Sequence, residues 1–275
     1  MSARRILIRL AIIALVMVLT PYALGPVLVY RKQRFRIPTE IIPIDPLDQP
    51  LPDSVSGHFR DSHEVLTRLG FEQVGIVGLP NLVTGAQSIC AFYVNRQTCA
   101  LANATFIVAT PQSAAAASPL VVRYVEFVTR HKDGVVVQTT NSQMIGAFPA
   151  PPFVHTAQFF GLQDVARLYD LHEFHQSRHN FSPPINRLDL EFQGDLLKYV
   201  ATAVLEEVFS GQLETGYLAR TPEGYRPTVK AAFIMTWQEL WPFSAIRKHR
   251  RRRAAQQILT EFETVTPAAT PVASS

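Results

Sequence analysis

The sequence predicts an α+β protein: one transmembrane helix, then a helix, a five-stranded antiparallel meander and helices packed on it. Two observations support this fold class. An uncharged apolar run stands near the N-terminus, and runs of β-branched and aromatic residues are followed by segments of helical periodicity. The hydrophobic fraction of 47% and the charged fraction of 17% are typical of a chain that folds, and they exclude a disordered protein.

The apolar run covers residues 10–30 without a charge, which is the length that a helix needs to cross a bilayer. Pro21 and Pro26 fall inside it, and membrane helices tolerate proline better than soluble helices do. Tyr30 ends the run, and Arg31 and Lys32 begin a basic segment after it. We therefore expect a bilayer-spanning helix at 10–30, preceded by a basic N-terminus at 1–9.

A cleaved signal peptide is the alternative, with Arg4, Arg5 and Arg9 as its charged region. The anchor is favoured because the apolar run continues past the small residues at 23–25, where cleavage would occur. Four cations follow the apolar run, at residues 31, 32, 34 and 36, whereas three precede it. This predicts a single-pass protein of the cell membrane with a cytoplasmic domain.

Residues 31–56 are basic and then rich in proline, which predicts an extended spacer between the helix and a globular domain at 57–262. The domain opens with a helix at 58–69, for which Gly70 is the predicted C-cap. Five strands follow, turned most clearly at Asp133-Gly134, with the insert 111–119 as a surface loop. The predicted strands are 72–79, 88–94, 99–108, 121–130 and 135–140.

The second half of the domain is helical in pattern, with a short extended pair in its middle. Helices are predicted at 163–179, at 188–209 and, as an amphipathic C-terminal helix, at 228–241. The extended pair is expected at 216–220 and 225–227. The tail, 263–275, consists largely of alanine, threonine, proline and serine, and we expect it to be disordered.

Three histidines, His172, His175 and His179, stand at positions i, i+3 and i+7 of a predicted helix. Imidazoles on one helix face can ligate zinc. The spacing lacks the i, i+4 pair of metalloprotease helices, and no cluster of cysteines or carboxylates supplies a fourth ligand. The favoured interpretation is a polar helix flank without metal.

Polar residues end the last strand, and Thr139 and Asn141 are candidate contacts for a small ligand. A solvated strand end is the favoured interpretation. Nucleophile and phosphate-loop motifs are absent from the sequence, so we expect no cofactor.

The C-terminal helix carries an apolar stripe with Trp237 and Trp241, and a block of cations follows it. This combination is typical of a helix that lies on an anionic lipid surface. Packing of the stripe on the domain core is the alternative. The candidate lipid-binding residues are Trp237, Trp241, Arg247, Lys248, Arg250, Arg251, Arg252 and Arg253.

The formal charge of +4 is concentrated in this block and in the one after residue 30, which argues against a nucleic-acid partner. Cys90 and Cys99 lie on either side of a predicted turn. They are interpreted as small buried hydrophobes, with a disulfide as the alternative.

These patterns predict a membrane-anchored, non-catalytic binding or scaffolding module. Its expected partners are the bilayer through 10–30, anionic lipid at the basic block, and unidentified proteins. The alternative function is a metal-dependent hydrolase that uses the histidine helix.

Overall fold

The structure is a computed structural model that describes residues 3–36, 40–80, 86–109, 120–222 and 224–265. Its helices are α1 (Ala3–Lys32), α2 (Asp53–Arg68), α3 (Val165–Ser177), α4 (Arg187–Leu190), α5 (Leu196–Tyr199), α6 (Glu207–Glu214), α7 (Val229–Glu239) and α8 (Phe243–Val265). A π-helical segment, Val200–Glu206, joins α5 to α6. The strands are β1 (Phe35–Arg36), β2 (Ile42–Pro43), β3 (Glu72–Pro80), β4 (Ala86–Asn95), β5 (Ala100–Ala109), β6 (Leu120–His131), β7 (Val136–Thr140), β8 (Val154–Gln158), β9 (Pro184–Ile185), β10 (Leu218–Thr221) and β11 (Gly224–Pro227).

The five strands of the predicted meander form, each within two residues of its expected bounds, and pair in sequence order from β3 to β7. The turns follow the local chemistry. Gly134 has a φ of 84°, which glycine adopts without a steric cost, and Asp133 accepts a hydrogen bond from the Val135 amide. Gly70, with a φ of 81°, ends α2 as predicted.

The sheet is larger than the predicted five-stranded meander, and it is mixed. Strand β2 extends it beyond β3, β8 adds a parallel strand beside β7, and β9 pairs with β6, for eight strands. The prediction missed these strands because two of them are two residues long and β8 follows an irregular connection. Such short pairings depend on tertiary contacts, which local patterns do not report.

The two faces of the sheet are covered by different helices. On one face, α2, α3 and α8 enclose a core of buried aromatic and aliphatic side chains that includes Phe71, Phe127 and Tyr169. On the other face, α4, α5 and the π-helical segment cover β3 to β5, with Phe92, Leu188 and Tyr199 in the core.

The predicted helix at 188–209 is interrupted. Gln193 and Gly194 both have positive φ values, 55° and 81°, and they divide α4 from α5. Asp195 then begins α5 by accepting a hydrogen bond from the Lys198 amide. The apolar periodicity passes through this turn, so the sequence pattern alone did not reveal the break.

A second, three-stranded sheet in the order β1-β11-β10 packs with α6 and α7. Phe35, Phe209 and Leu218 are its buried residues. The predicted spacer at 31–56 is therefore part of the folded protein, because it supplies β1 and β2 and because Ile44 and Leu51 pack on the main core.

The prediction of a transmembrane helix at 10–30 is wrong, and so is the single-pass membrane localisation that rested on it. No helix among the described residues has the length and the apolar character required to cross a membrane. The apolar run does form α1, and its second half contacts α7, while Leu24, Val27 and Leu28 stay exposed. Pro26 is buried, and the Tyr22 carbonyl accepts a hydrogen bond from the indole of Trp237.

At the C-terminus, the chain remains helical well beyond the predicted end at residue 241. After Pro242, α8 continues to Val265 and takes up the basic block and the first residues of the predicted disordered tail. The rest of that tail, 266–275, and the predicted loop 111–119 lie outside the described residues.

Candidate functional site

Exposed aromatic side chains form a continuous row across α7 and α8. The rings of Phe233 and Trp237 meet edge to face at 5.2 Å, and Trp237 stacks on Phe243 at 6.1 Å with an interplanar angle of 11°. All three rings are exposed to solvent by more than a third. Exposed aromatic groups in contact with one another are uncommon on a protein surface that has no binding role.

The row continues into cations on α8. Phe243, Ile246, Arg250 and Arg253 are spaced by three or four residues, which places them on one side of the helix. All four are exposed, and Arg250 and Arg253 form no ion pair with a described residue. We call Phe233, Trp237, Trp241, Phe243, Ile246, Arg250 and Arg253 the aromatic–basic ridge; Lys248 is exposed too, but it lies on another side of α8.

The six predicted lipid-binding cations do not behave alike. Arg247 donates to the Gly146 carbonyl at 2.7 Å and lies 3.6 Å from a Glu239 carboxylate oxygen. Arg251 donates to the Thr156 carbonyl on β8. These two side chains fix α8 to the protein. Arg252 is exposed but lies over the ring of Phe160, and Lys248, Arg250 and Arg253 face solvent.

Local contacts fix α7, which carries the first half of the ridge. Thr228 caps its N-terminus by accepting a hydrogen bond from the Ala231 amide at 3.2 Å. Small residues, Ala231 and Ala232, form its buried side. The Trp237 indole donates to the Tyr22 carbonyl at 3.0 Å, so this ring has a defined orientation while a large part of it stays exposed.

The predicted apolar stripe at 228–241 therefore faces outward rather than into the core. Val229, Phe233 and Trp237 are exposed, and Trp241 exposes 76% of its surface. Sequence reasoning identified both tryptophans but missed Phe243 and Ile246, because it did not extend a helix beyond Pro242. The spacing from Phe243 to Arg253 was the available signal.

His172, one of the three predicted metal candidates, is fully buried between α3 and the sheet. Its Nε2 lies 2.9 Å from the Thr129 hydroxyl and its Nδ1 lies 3.0 Å from the Thr139 hydroxyl. Burial, together with the neighbouring His175 and His131, lowers the pKa of His172 to about 3. Both ring nitrogens have partners, so His172 has no nitrogen left for a metal.

His175 is also buried, and its Nδ1 has no hydrogen-bond partner among the described residues. Its pKa falls to about 4, mainly through burial and then through His179, Arg178 and His155. His179 follows the end of α3 and packs against His155 at 5.3 Å between ring centroids. The predicted polar helix flank is thus a largely buried cluster.

No group of three histidine, cysteine or carboxylate side chains within the described part of the chain has the geometry to hold a metal ion. Phe181 stacks on His179 at 4.9 Å and lies 5.2 Å from His155, so an apolar ring packs against both of these imidazoles. The arrangement does not support the metal-dependent hydrolase.

The predicted ligand contacts bond within the protein. The Thr139 hydroxyl is buried against His172. The Asn141 side chain accepts from the Val125 amide at 2.8 Å and donates to the Leu162 carbonyl at 2.8 Å. Both residues thus stabilise the end of the sheet, and their side-chain polar atoms are engaged in these hydrogen bonds.

Sequence reasoning missed a polar network on the second face of the sheet. Asn103 donates to Glu126 at 3.3 Å and Thr105 donates to Asn103 at 3.0 Å. Burial raises the pKa of Glu126, while hydrogen bonds from Asn103 and Gln138 act in the opposite direction. The residues of this network come from three strands, β5, β6 and β7, and they form no motif that is recognisable in the sequence.

The two cysteines are free. Cys90 is buried beside Thr105, whose hydroxyl is 3.5 Å from its sulfur, and Cys99 is partly exposed in the turn before β5. Burial raises the pKa of the Cys90 thiol to about 11, so this group is an unreactive core side chain.

Comparison of the chain with protein-family models, with curated proteins and with solved structures finds no match.

Proposed function

We propose that this protein is a non-catalytic binding module that docks peripherally on anionic lipid headgroups through the aromatic–basic ridge. The contact of the exposed Phe233, Trp237 and Phe243 rings, on the side of the molecule that presents free cations, carries the proposal. Aromatic rings insert at the level of the headgroups, while lysine and arginine side chains reach anionic phosphates.

Charge and apolar contact have separate parts in this proposal. Each cation near an anionic bilayer contributes on the order of 1 kcal/mol, an attraction that falls away within a Debye length. The exposed rings and Ile246 add apolar burial that does not depend on salt. Binding is therefore expected to weaken strongly, but not to vanish, as the salt concentration rises.

Sedimentation of the full-length protein with vesicles tests the proposal. We expect binding to phosphatidylserine-containing vesicles and little binding to phosphatidylcholine vesicles. Replacing Arg250 and Arg253 by glutamine should weaken binding about 30-fold, since two contributions of about 1 kcal/mol are lost. Trp241→Ala should weaken binding to both kinds of vesicle by a smaller factor.

A matched control removes the same charge elsewhere. Arg60 and Lys198 are exposed and lie on other elements, so replacing both by glutamine should leave vesicle binding nearly unchanged. Equal losses in the two double variants would mean that only the net charge matters. That result, or no binding of the parent protein at low salt, would contradict docking through the ridge.

A further inference from the structure

Five of the eight histidines gather at one end of the main sheet: His131, His155, His172, His175 and His179. The rings of His179 and His175 are 6.2 Å apart, and those of His179 and His155 are 5.3 Å apart. The phenyl ring of Phe181 lies among them, 5.0 Å from His131. We call these five residues, with Phe181, the histidine cluster.

The cluster joins parts of the chain that are distant in sequence. His172 and His175 lie on α3, His131 ends β6 and His155 is in β8. The segment 178–183 closes over them. It is held by the Ser182 carbonyl, 2.6 Å from Nδ1 of His131, and by hydrogen bonds between Ser182 and Asp133.

The charged groups that act on these rings are mostly positive or become positive in acid. Arg178 acts on His175 and His179 from the end of α3, His155 acts on both from β8, and His131 acts on His172 from β6. The carboxylates beside the cluster have other partners. Asp133 of the β6–β7 turn bonds to Ser182, and Glu261 of α8 pairs with Arg178 at 2.8 Å. No described residue of α2 or β7 offers a carboxylate to these rings.

Protonation of the cluster would therefore place several positive charges around an apolar ring, and no carboxylate in the described part of the chain is free to balance them. Two buried ring nitrogens, Nε2 of His131 and Nδ1 of His175, also have no hydrogen-bond partner among the described residues. A proton on Nδ1 of His175 would be buried without an acceptor, whereas an opened segment would expose that nitrogen to water.

We propose that the histidine cluster is an acid-sensitive latch, which holds the end of α3 and residues 178–183 on the sheet near neutral pH and releases them in mild acid. This inference does not depend on lipid docking. It adds a conformational response to the protein and assigns the response to a defined set of side chains.

The sign of the effect follows from linkage. A histidine in an opened segment has an ordinary pKa of about 6.5, whereas the pKa of the closed His175 is about 4. Its contribution to the closed state is complete above about pH 6.5 and is lost progressively as the pH falls toward the lower value. Each histidine released in this way favours opening about tenfold for each pH unit in that window.

Hydrogen exchange of the full-length protein tests the latch. Protection factors, corrected for the intrinsic pH dependence of exchange, should fall at least about tenfold in residues 171–185 between about pH 7.5 and pH 5.5. Strands β4 and β5 should keep their protection over the same interval. Equal protection of residues 171–185 at both pH values would overturn the proposal.

Variants assign the response to the cluster. In His175→Gln, the fall in protection between the two pH values should be about tenfold smaller than in the parent protein. The variant His249→Gln, which changes an exposed histidine on α8, should show the same fall as the parent. If His175→Gln does not fold, the double variant His155→Gln/His179→Gln at the rim of the cluster should remove a smaller but measurable part of the pH dependence, because it abolishes the repulsion of a protonated His175 by these rings while burial remains. A full pH response in a folded cluster variant would show that other groups cause the opening.

Discussion

His172 illustrates how single buried polar residues hold this fold together. Its ring is fully buried, stacks on Phe127 and bridges the hydroxyls of Thr129 and Thr139, which are themselves inaccessible to solvent. Replacing it by phenylalanine keeps the planar ring but leaves two buried hydroxyls without a partner. We expect His172→Phe to lower the free energy of unfolding by about 1–3 kcal/mol, measured by urea denaturation.

His249→Gln is the matched control for this variant, because His249 is exposed on α8. Its free energy of unfolding should stay within about 0.5 kcal/mol of the parent value. If His172→Phe is as stable as the control, the two hydrogen bonds contribute little and the buried bridge does not stabilise the protein.

Glu126 gives a prediction with a defined pH dependence. Since burial raises its pKa, the folded protein binds more protons at this site than the unfolded chain does. The contribution of Glu126 to stability therefore decreases as the pH rises above its unfolded value of about 4.5. Glu126→Gln should remove this decrease, so the stability of the variant relative to the parent should increase from about pH 4.5 to neutral pH.

Urea denaturation of both proteins across this range measures the difference. A constant difference in the free energy of unfolding at all pH values would mean that the Glu126 carboxyl titrates normally in the folded protein.

At the residue scale, the sequence shows polarity but not burial. It marked His172, His175 and His179 as a group, and the structure does bring these residues together. The sequence also predicted that they lie on an exposed polar flank. Histidine is a polar residue type, and the sequence does not show that buried threonine hydroxyls bond to His172. Thr129 and Thr139 come from two different strands, and their approach to His172 depends on the packing of α3 on the sheet.

The turn between α4 and α5 is the element on which the second helical layer depends. Gly194 has a φ of 81° there, a conformation that costs other residues roughly 1 kcal/mol or more. Gly194→Ala should therefore lower the free energy of unfolding by about 1 kcal/mol in urea denaturation. The reason is conformational, because no described atom lies within 4 Å of an added methyl group.

Gly211 in α6 supplies the opposite case. It is helical, and an added methyl group there also has no atom within 4 Å. Gly211→Ala should raise the free energy of unfolding by about 0.5–1 kcal/mol, because alanine favours a helix. A gain in stability from both substitutions would show that residues 191–195 adopt a continuous helix in solution.

Elements with strong local signals were predicted well, and elements defined by partners were not. Strands β3 to β7 have turn residues at their ends and β-branched residues within them, which suffices to locate them. Helix α8 was missed because its first half is rich in arginine and lysine and lacks the repeated apolar positions by which an amphipathic helix is recognised. Its inward positions include Arg247 and Arg251, whose guanidinium groups bond to carbonyls, in addition to Ala255 and Ile258.

The same distinction explains the error at the N-terminus. A long uncharged run is a strong signal for a membrane span, and the segment does become helical. Composition could not show that the second half of α1 would lie against α7, with Thr236 at Gly25 and Trp237 at Tyr22. Contacts between segments more than two hundred residues apart cannot be predicted from the local sequence pattern of either segment.

At the scale of the whole molecule, the candidate surface results from the joining of two chain segments. The aromatic half of the ridge comes from α7 and the cationic half from α8, and the Trp237–Phe243 stack connects them. The sequence supplied the residue types of this surface. Their arrangement depends on α8 being fixed along β8, which sequence patterns did not reveal.

Tryptophan fluorescence of the full-length protein tests docking through the ridge most directly. The chain contains two tryptophans, Trp237 and Trp241, and both belong to the ridge. On titration with phosphatidylserine-containing vesicles, we expect emission to shift to shorter wavelength and to be quenched by brominated lipid acyl chains, with partial reversal at high salt. Sedimentation with these vesicles while the emission spectrum and quenching stay unchanged would show that another surface binds lipid, and it would contradict the account.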